Sequence, residues 1–292
     1  MASCKFRLAA FADEANPALD KQIEIMQQLD IGLLEIRGVN GYNSVDLSDE
    51  KVREVRQKLD GGGISVWSIG SPIGKVQITQ DAQIEQDRFK RVLEIAYGLG
   101  ARCIRLFSFF GTEGKEEYRD EVLERLSRFA QSAKGSGVTL CHENEKGIYG
   151  DTPERCLEIH KSIPEIKAVF DPANFVQCHV DVLKAWEMLE PYVYYGHIKD
   201  CKKSGEVVPA GDGDGELRNY LPRLLSKGDR VLTMEPHLAE FVGLSGLETP
   251  GEKSQVGGMH FATNEDAFRY AVKALRSLVA SLDGPFAEVK EL

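Results

Sequence analysis

Four apolar runs in this chain of 292 residues end in groups able to do chemistry: VTLCHEN carries Glu143, KAVFDP carries Asp171, YYGHIKD carries His197 and VLTMEPH carries Glu235. Side chains alternate along an extended strand, so Glu143 shares a side with Cys141 and Thr139, Asp171 with Val169, His197 with Tyr195, and Glu235 with Thr233. Leu140, His142, Phe170, Ile198, Leu232 and Met234 face the other way. A lone acid at a strand end is more often a helix cap or a loop acceptor. Three carboxylates and one imidazole turned to a common axis repel one another unless a cation lies among them. Mostly oxygen ligands with one imidazole favour Mn2+, Mg2+ or Co2+ and also admit Zn2+, while the lack of thiolate ligands argues against a structural zinc.

For these four groups to meet, their runs must be neighbouring strands. Apolar runs of strand length occur eight times, at RLAAFAD, GLLEIRG, ISVWSIGS, CIRLFSFF, VTLCHEN, KAVFDP, YYGHIKD and VLTMEPH. Helical patterns lie between them. SDEKVREVRQKLDGGG sets Val52, Val55 and Leu59 on one face, with Ser48 as N-cap and glycines at its end. DTPERCLEIHKSI has Thr152 as a cap and Pro153 at the first helical position, where a missing N–H costs nothing. NEDAFRYAVKALRSLVASL closes the chain with an amphipathic helix. Eight alternations without a Pro/Gly/Ser linker predict an α/β fold, a single (β/α)8 TIM barrel over residues 1–292, with a doubly wound sheet as the alternative. In such a barrel the site lies where strands end and βα loops begin.

Composition narrows the partners. The chain is 42% hydrophobic and 28% charged, as in a soluble globular protein with an ample core, and its formal net charge of −10 disfavours nucleic acid or an anionic membrane. A small molecule is the expected partner, and homo-oligomerisation stays open. No eighteen apolar residues run together, and the N-terminus shows no apolar signal region, so a cytoplasmic location is expected. Cys4, Cys103, Cys141, Cys156, Cys178 and Cys201 form no CxxC pair and are read as reduced thiols.

HENE, VFDPANF, GHIKD and EPH resemble the metal-site segments of the xylose isomerase-like sugar isomerase/epimerase superfamily, and FADEANPALDKQI, LEIRG and SIGSPIGK resemble its sugar phosphate isomerase/epimerase members. The resemblance spans nearly the whole chain. It implies a carbohydrate substrate, one divalent metal on Glu143, Asp171, His197 and Glu235, and proton transfer by Glu143 and Glu235 on opposite faces of the substrate. The implied activity is a metal-dependent isomerase or epimerase working on a sugar, sugar phosphate or polyol through an enediolate. Asn174 stands where the keto-sugar epimerases carry a histidine, and Lys202 and Lys203 stand near the place of an arginine. Three alternatives remain: an inosose-type dehydratase on the same metal site, an endonuclease IV-like phosphodiesterase, and a non-catalytic sugar-binding protein. Only six histidines and the acidic charge oppose the phosphodiesterase.

Other residues carry two readings each. The resemblance makes Lys199 a donor to substrate oxygens; otherwise Lys199 and Asp200 form an exposed ion pair. His237 shares the parity of Glu235 and, like Asn174, is read as substrate-binding, with a structural imidazole as the plainer role. Arg37, Lys75 and Arg105 end or follow strands two, three and four, where a phosphate or carboxylate of the substrate could sit, or are surface charges. Glu145 has the parity to reach metal or substrate. His142 reads as structural or as a substrate contact, and His160 and His179 read as surface residues. PAGDGDGEL matches neither a full calcium loop nor a phosphate cradle and is expected to be a flexible active-site turn. The long AEFVGLSGLETPGEKSQVGGMHF segment after strand eight is a candidate lid.

Overall fold

Each of the eight apolar runs forms a strand in the computed structural model, which describes residues 4–242, 255–256, 258–282 and 285. They are β1 Phe6–Ala10, β2 Leu33–Ile36, β3 Ser65–Gly70, β4 Cys103–Leu106, β5 Thr139–Glu143, β6 Ile166–Phe170, β7 Val193–Ile198 and β8 Arg230–Met234. All pair in parallel with their sequence neighbours, and β1 pairs with β8 to close a single eight-stranded barrel. Closure leaves no free sheet edge. A (β/α)8 barrel is therefore the fold, and the doubly wound alternative is set aside.

The helices form the outer layer: α1 Leu19–Gln28, α2 Asp49–Gly61, α3 Ala82–Leu99, α4 Arg119–Ala133, α5 Pro153–Ser162, α6 Pro172–Gln177, α7 Val182–Leu189, α8 Leu217–Leu225 and α9 Asn264–Ser281. Ser48 caps α2 through its side chain, which accepts from the Lys51 amide, and Val52, Val55 and Leu59 are the buried face. Thr152 stands at the N-cap of α5 but makes no side-chain cap, leaving Pro153 as that helix's start signal. Leu140, Phe170, Ile198, Leu232 and Met234 point into the large apolar layer between strands and helices.

The barrel interior has its own small core, formed by Ala9, Leu33, Cys103, Cys141, Val169, Tyr195 and Val231. This apolar plug is a floor. One pleat further along the strands the inward positions become Glu35, Arg105, Glu143, His197 and Thr233, all buried. The polar layer is thus held over a dry floor at the C-terminal mouth, where the loops can close over it. At the rim, Asp200–Cys201, Glu206–Val208 and Gln255–Val256 form a small three-stranded sheet. Of the proposed lid, residues 243–254 and 257 lie outside the described residues. Among the described residues no helix is long and apolar enough to cross a membrane, and all six cysteines are free.

Candidate metal centre

Glu143, Asp171, His197 and Glu235 come together at the mouth of the barrel, every one buried. One ligand atom from each lies within 4.8 Å of the others. His197 Nδ1 is 3.1 Å from Glu143 Oε1 and 3.1 Å from Glu235 Oε2. Asp171 divides its carboxylate: Oδ1 accepts from the Asn174 amide and caps α6, while Oδ2 takes no hydrogen bond and lies 3.2 Å from Lys199 Nζ. Glu235 Oε2 is likewise buried, with His197 Nδ1 as its polar neighbour. Each of these oxygens instead lies in an ion pair, Asp171 Oδ2 with Lys199 and Glu235 Oε2 with His197, and three carboxylates gathered around one imidazole nitrogen are a donor set that fits a divalent cation.

The surrounding charges point the same way. Among the described residues, six buried carboxylates at this mouth, Asp13, Glu14, Glu35, Glu143, Asp171 and Glu235, face three buried cations, Arg37, Arg105 and Lys199. Burial alone would raise Glu143, but the charges of His197 and Arg105 hold it at about 2. Glu235 also lies well below the ordinary carboxylate range, because Lys199, His197 and His237 outweigh its burial. Asp171 is raised to about 6 by burial against the pull of Lys199. His197 sits well above its ordinary value, since Glu143 and Glu35 overcome the burial that disfavours its charge. The surplus of acids therefore draws a proton onto the imidazole, and a bound cation would replace it.

Glu35 escaped the sequence reading. It is fully buried at the end of β2 and accepts hydrogen bonds from Tyr195 Oη at 2.9 Å and Thr233 Oγ1 at 2.8 Å. Its Oε2 is also 3.2 Å from His197 Nε2. With Nε2–H turned to a carboxylate, Nδ1 is the nitrogen left to face Glu143 and Glu235, an arrangement that orients a metal-binding histidine. The signal available was LEIRG, where Glu35 and Arg37 share the inward parity of Leu33. Asp13 and Glu14, on a turn directly after β1, were missed too.

Arg37 is a correction to the anion-site reading. Its guanidinium is committed to Asp13 at 2.9 Å, Glu14 at 3.2 Å and Glu235 at 3.1 Å, and it is packed between the rings of Phe11 and Phe241. Arg105 Nη1 donates to Glu143 Oε2 at 2.8 Å, and Lys75 pairs with Glu145 at 3.1 Å. Glu145 therefore faces Lys75 and lies outside the four-residue cluster. Asn174 is buried, its Nδ2 donating to Glu143 Oε1 at 3.2 Å and to the Asn144 carbonyl. Asn144 in turn exchanges two hydrogen bonds with the Asp171 backbone, tying the ends of β5 and β6 together.

His237 meets the cluster by an unusual route. Its backbone is left-handed, at φ 48°, which lets its amide donate to Glu14 Oε2 while the ring nitrogen Nε2 lies 3.3 Å from Glu14 and 3.4 Å from Glu235. Such a conformation costs a non-glycine residue about 1 kcal/mol or more, and its presence at a polar site is a pointer to function. His142 faces the helix layer, bonded to Ser108, and burial pushes it down to about 3. His160 is buried as well, contrary to the surface expectation, because it turns under α5 to reach the Ile166 carbonyl and stacks on Tyr192. His179 is exposed as expected.

Lys199 and Asp200 are not an exposed pair. Lys199 turns to Asp171, and Asp200 is buried with its carboxylate accepting from the amides of Cys201, Gly211, Gly213 and Gly215. PAGDGDGEL is thus an anion nest filled by the chain's own acid, a pinned turn where a flexible one was expected. A Cβ on Gly213 would lie 2.3 Å from Asp200 Oδ1, so only glycine permits the approach. Lys202 and Lys203 are exposed, Lys202 pairing with Glu206.

Solved structures share this architecture. D-psicose 3-epimerase from Clostridium cellulolyticum H10, solved with D-tagatose, is 16% identical with TM-score 0.71, covering 95% of this chain and 99% of that one. The probable 3-DHS dehydratase AsbF from Bacillus anthracis is 12% identical with TM-score 0.70, covering 93% and 98%. An IOLI protein with a bound zinc atom is 17% identical with TM-score 0.71, covering 95% and 99%. At these identities the likeness is one of fold. A search of curated proteins finds no match. The sequence profile described as "Xylose isomerase-like TIM barrel" matches residues 23–278, most of the chain and every strand from β2 to β8, so this protein belongs to the xylose isomerase-like TIM barrel family.

Proposed function

We propose that the protein is a metal-dependent isomerase or epimerase of a sugar, sugar phosphate or polyol, with Glu143, Asp171, His197 and Glu235 holding one divalent ion. The observation that carries this reading is the buried convergence of those four groups, with one ligand atom of each within 4.8 Å of the others. A bound Mn2+, Mg2+, Co2+ or Zn2+ would polarise the substrate's carbonyl and hydroxyl oxygens and so acidify the adjacent C–H. Glu143 takes that proton on one face, its other contacts with Arg105 and Asn174 fixing the carboxylate, and an enediolate is left on the substrate. Glu235, steadied by Arg37, passes to the opposite face a proton taken up from solvent, and Glu143 later releases its own to solvent. Lys199, Asn174 and His237 line the cavity beside the cluster, where they orient substrate oxygens.

Arg37 favours sugar chemistry over an endonuclease IV-like reaction. Glu14, Glu235 and His237 form a second cluster, but the Arg37 guanidinium already occupies it, in contact with both of its acids. That supports one ion over the several a phosphodiesterase of that kind uses.

The test is to strip the protein of metal, restore Mn2+, and follow a ketose, an inosose and an abasic DNA duplex. Metal-dependent interconversion of the ketose supports the proposal. Loss of water from the inosose would transfer the site to a dehydratase, cleavage of the duplex would reverse the ranking, and a stoichiometric ion without turnover of any of them would favour a sugar-binding protein.

A further inference from the structure

The loops following β1 to β4, together with Val242 beyond β8, line a cavity of about 210 Å³ beside the proposed metal centre, and Lys75 and Arg105 line both spaces. Its charged wall consists of Arg37, Lys75, Arg105 and Asp13. Asp13 has both oxygens taken by Arg37, at 2.9 and 3.1 Å, so it offers little to a ligand. Arg105 is different. Its Nη1 is bonded to Glu143, but Nε and Nη2 are buried without a hydrogen-bond partner, and the residue is only 2% exposed. Leaving buried donors unmade costs about 1–3 kcal/mol each, more when the group is charged, so the arrangement suits an acceptor that the described residues do not supply. Phe107 stands between the cations, its ring centroid 4.6 Å from Arg105 Cζ and 4.4 Å from Lys75 Nζ.

We propose that this cavity is an anion subsite: the substrate carries a carboxylate or phosphate at the end remote from the reacting carbon, and Arg105 holds it through Nε and Nη2. Two N–H groups on adjacent nitrogens of one plane match the paired oxygens of an anion better than a single hydroxyl. Lys75, paired with Glu145, places a second cation across the Phe107 ring. The inference rests on the polyol-converting reading of the metal centre and narrows it to acidic sugars.

Calorimetric titration of the Mn2+-loaded protein with xylitol, D-xylonate and xylitol 5-phosphate compares one carbon skeleton with three end groups. At least one anion is expected to bind about tenfold more tightly than xylitol or better, and the stronger of the two identifies carboxylate or phosphate. Arg105→Gln and Lys75→Gln should each shrink that advantage, with Mn2+ occupancy measured alongside because Arg105 touches Glu143. Equal binding of all three compounds, or a preference that survives both substitutions, overturns the subsite and leaves the metal-centre reading standing. Binding of Mn2+ without binding of any of the three overturns both.

Discussion

Replacing Glu35 should weaken metal binding although it is no ligand in the proposed centre. Its carboxylate takes three hydrogen bonds, from Tyr195, Thr233 and His197 Nε2. Glu35→Met keeps the volume and removes every acceptor, so nothing then holds the Nε2–H tautomer that turns Nδ1 toward Glu143 and Glu235. Loss of such an outer partner costs about 10–100-fold in metal affinity, roughly 1.4–2.7 kcal/mol, and Met should fall at the upper end. Glu35→Gln should fall nearer the lower end. Its amide oxygen can still face His197 while its NH2 turns to Tyr195, whose hydroxyl is 3.4 Å from Ser68 Oγ and can donate there instead. Both variants lose the same charge, so the difference between them reports the hydrogen bonds Glu35 accepts, that from His197 among them. The assay is Mn2+ titration of stripped protein by calorimetry, with circular dichroism to verify folding, since buried donors left unpaired cost about 1–3 kcal/mol of stability each. Wild-type affinity in Glu35→Met, or equal losses in the two variants, would refute the reasoning.

Asp171→Asn should stay folded, because asparagine caps a helix as well as aspartate, yet lose more metal affinity than the ~10–100-fold of an outer-partner change; equal binding by calorimetry would remove Asp171 from the ligand set. Product formed in D2O should carry deuterium at the reacting carbon, and Glu143→Gln and Glu235→Gln should each lose turnover; full activity in both with metal still bound would eliminate the two-carboxylate mechanism. His160 is held at about 4 by burial, below its ordinary value near 6.5, so the unfolded chain binds more protons as the medium becomes acidic. Its contribution is present above about pH 6.5 and lost toward pH 4, roughly 3 kcal/mol in all. His160→Asn keeps a donor for the Ile166 carbonyl and should flatten that part of a urea-midpoint profile; an unchanged slope would contradict the assignment.

How much of this was legible follows from the range of each interaction. Strand parity is local, and Cys141, Val169 and Tyr195 do share the barrel interior with Glu143, Asp171 and His197 as the alternation requires. The motif-bearing strand ends therefore named four residues that the barrel gathers into one buried cluster. Parity does not say what fills the space between strands. Arg37 was readable as an inward cation but its three acid partners come from β1's following turn and β8's end, and His160 was placed on the surface because a helix-borne histidine gives no local sign of turning inward. Asp200 shows the same limit: a glycine-rich run with aspartates suggests an empty cradle, whereas its amides are spent on the chain's own carboxylate.

By itself the sequence determined the alternation of eight strands with helices, the inward alternation of small and polar residues, and the carboxylate and imidazole groups brought to the strand ends, because each follows from backbone geometry over a few residues. Tertiary structure alone decided that Glu35 orients His197 from across the barrel, that Arg37 occupies the second acidic cluster, and that Arg105 keeps two donors unpaired. Those outcomes join residues as far apart as 162 and 198 positions, and only closure of the barrel sets their distances.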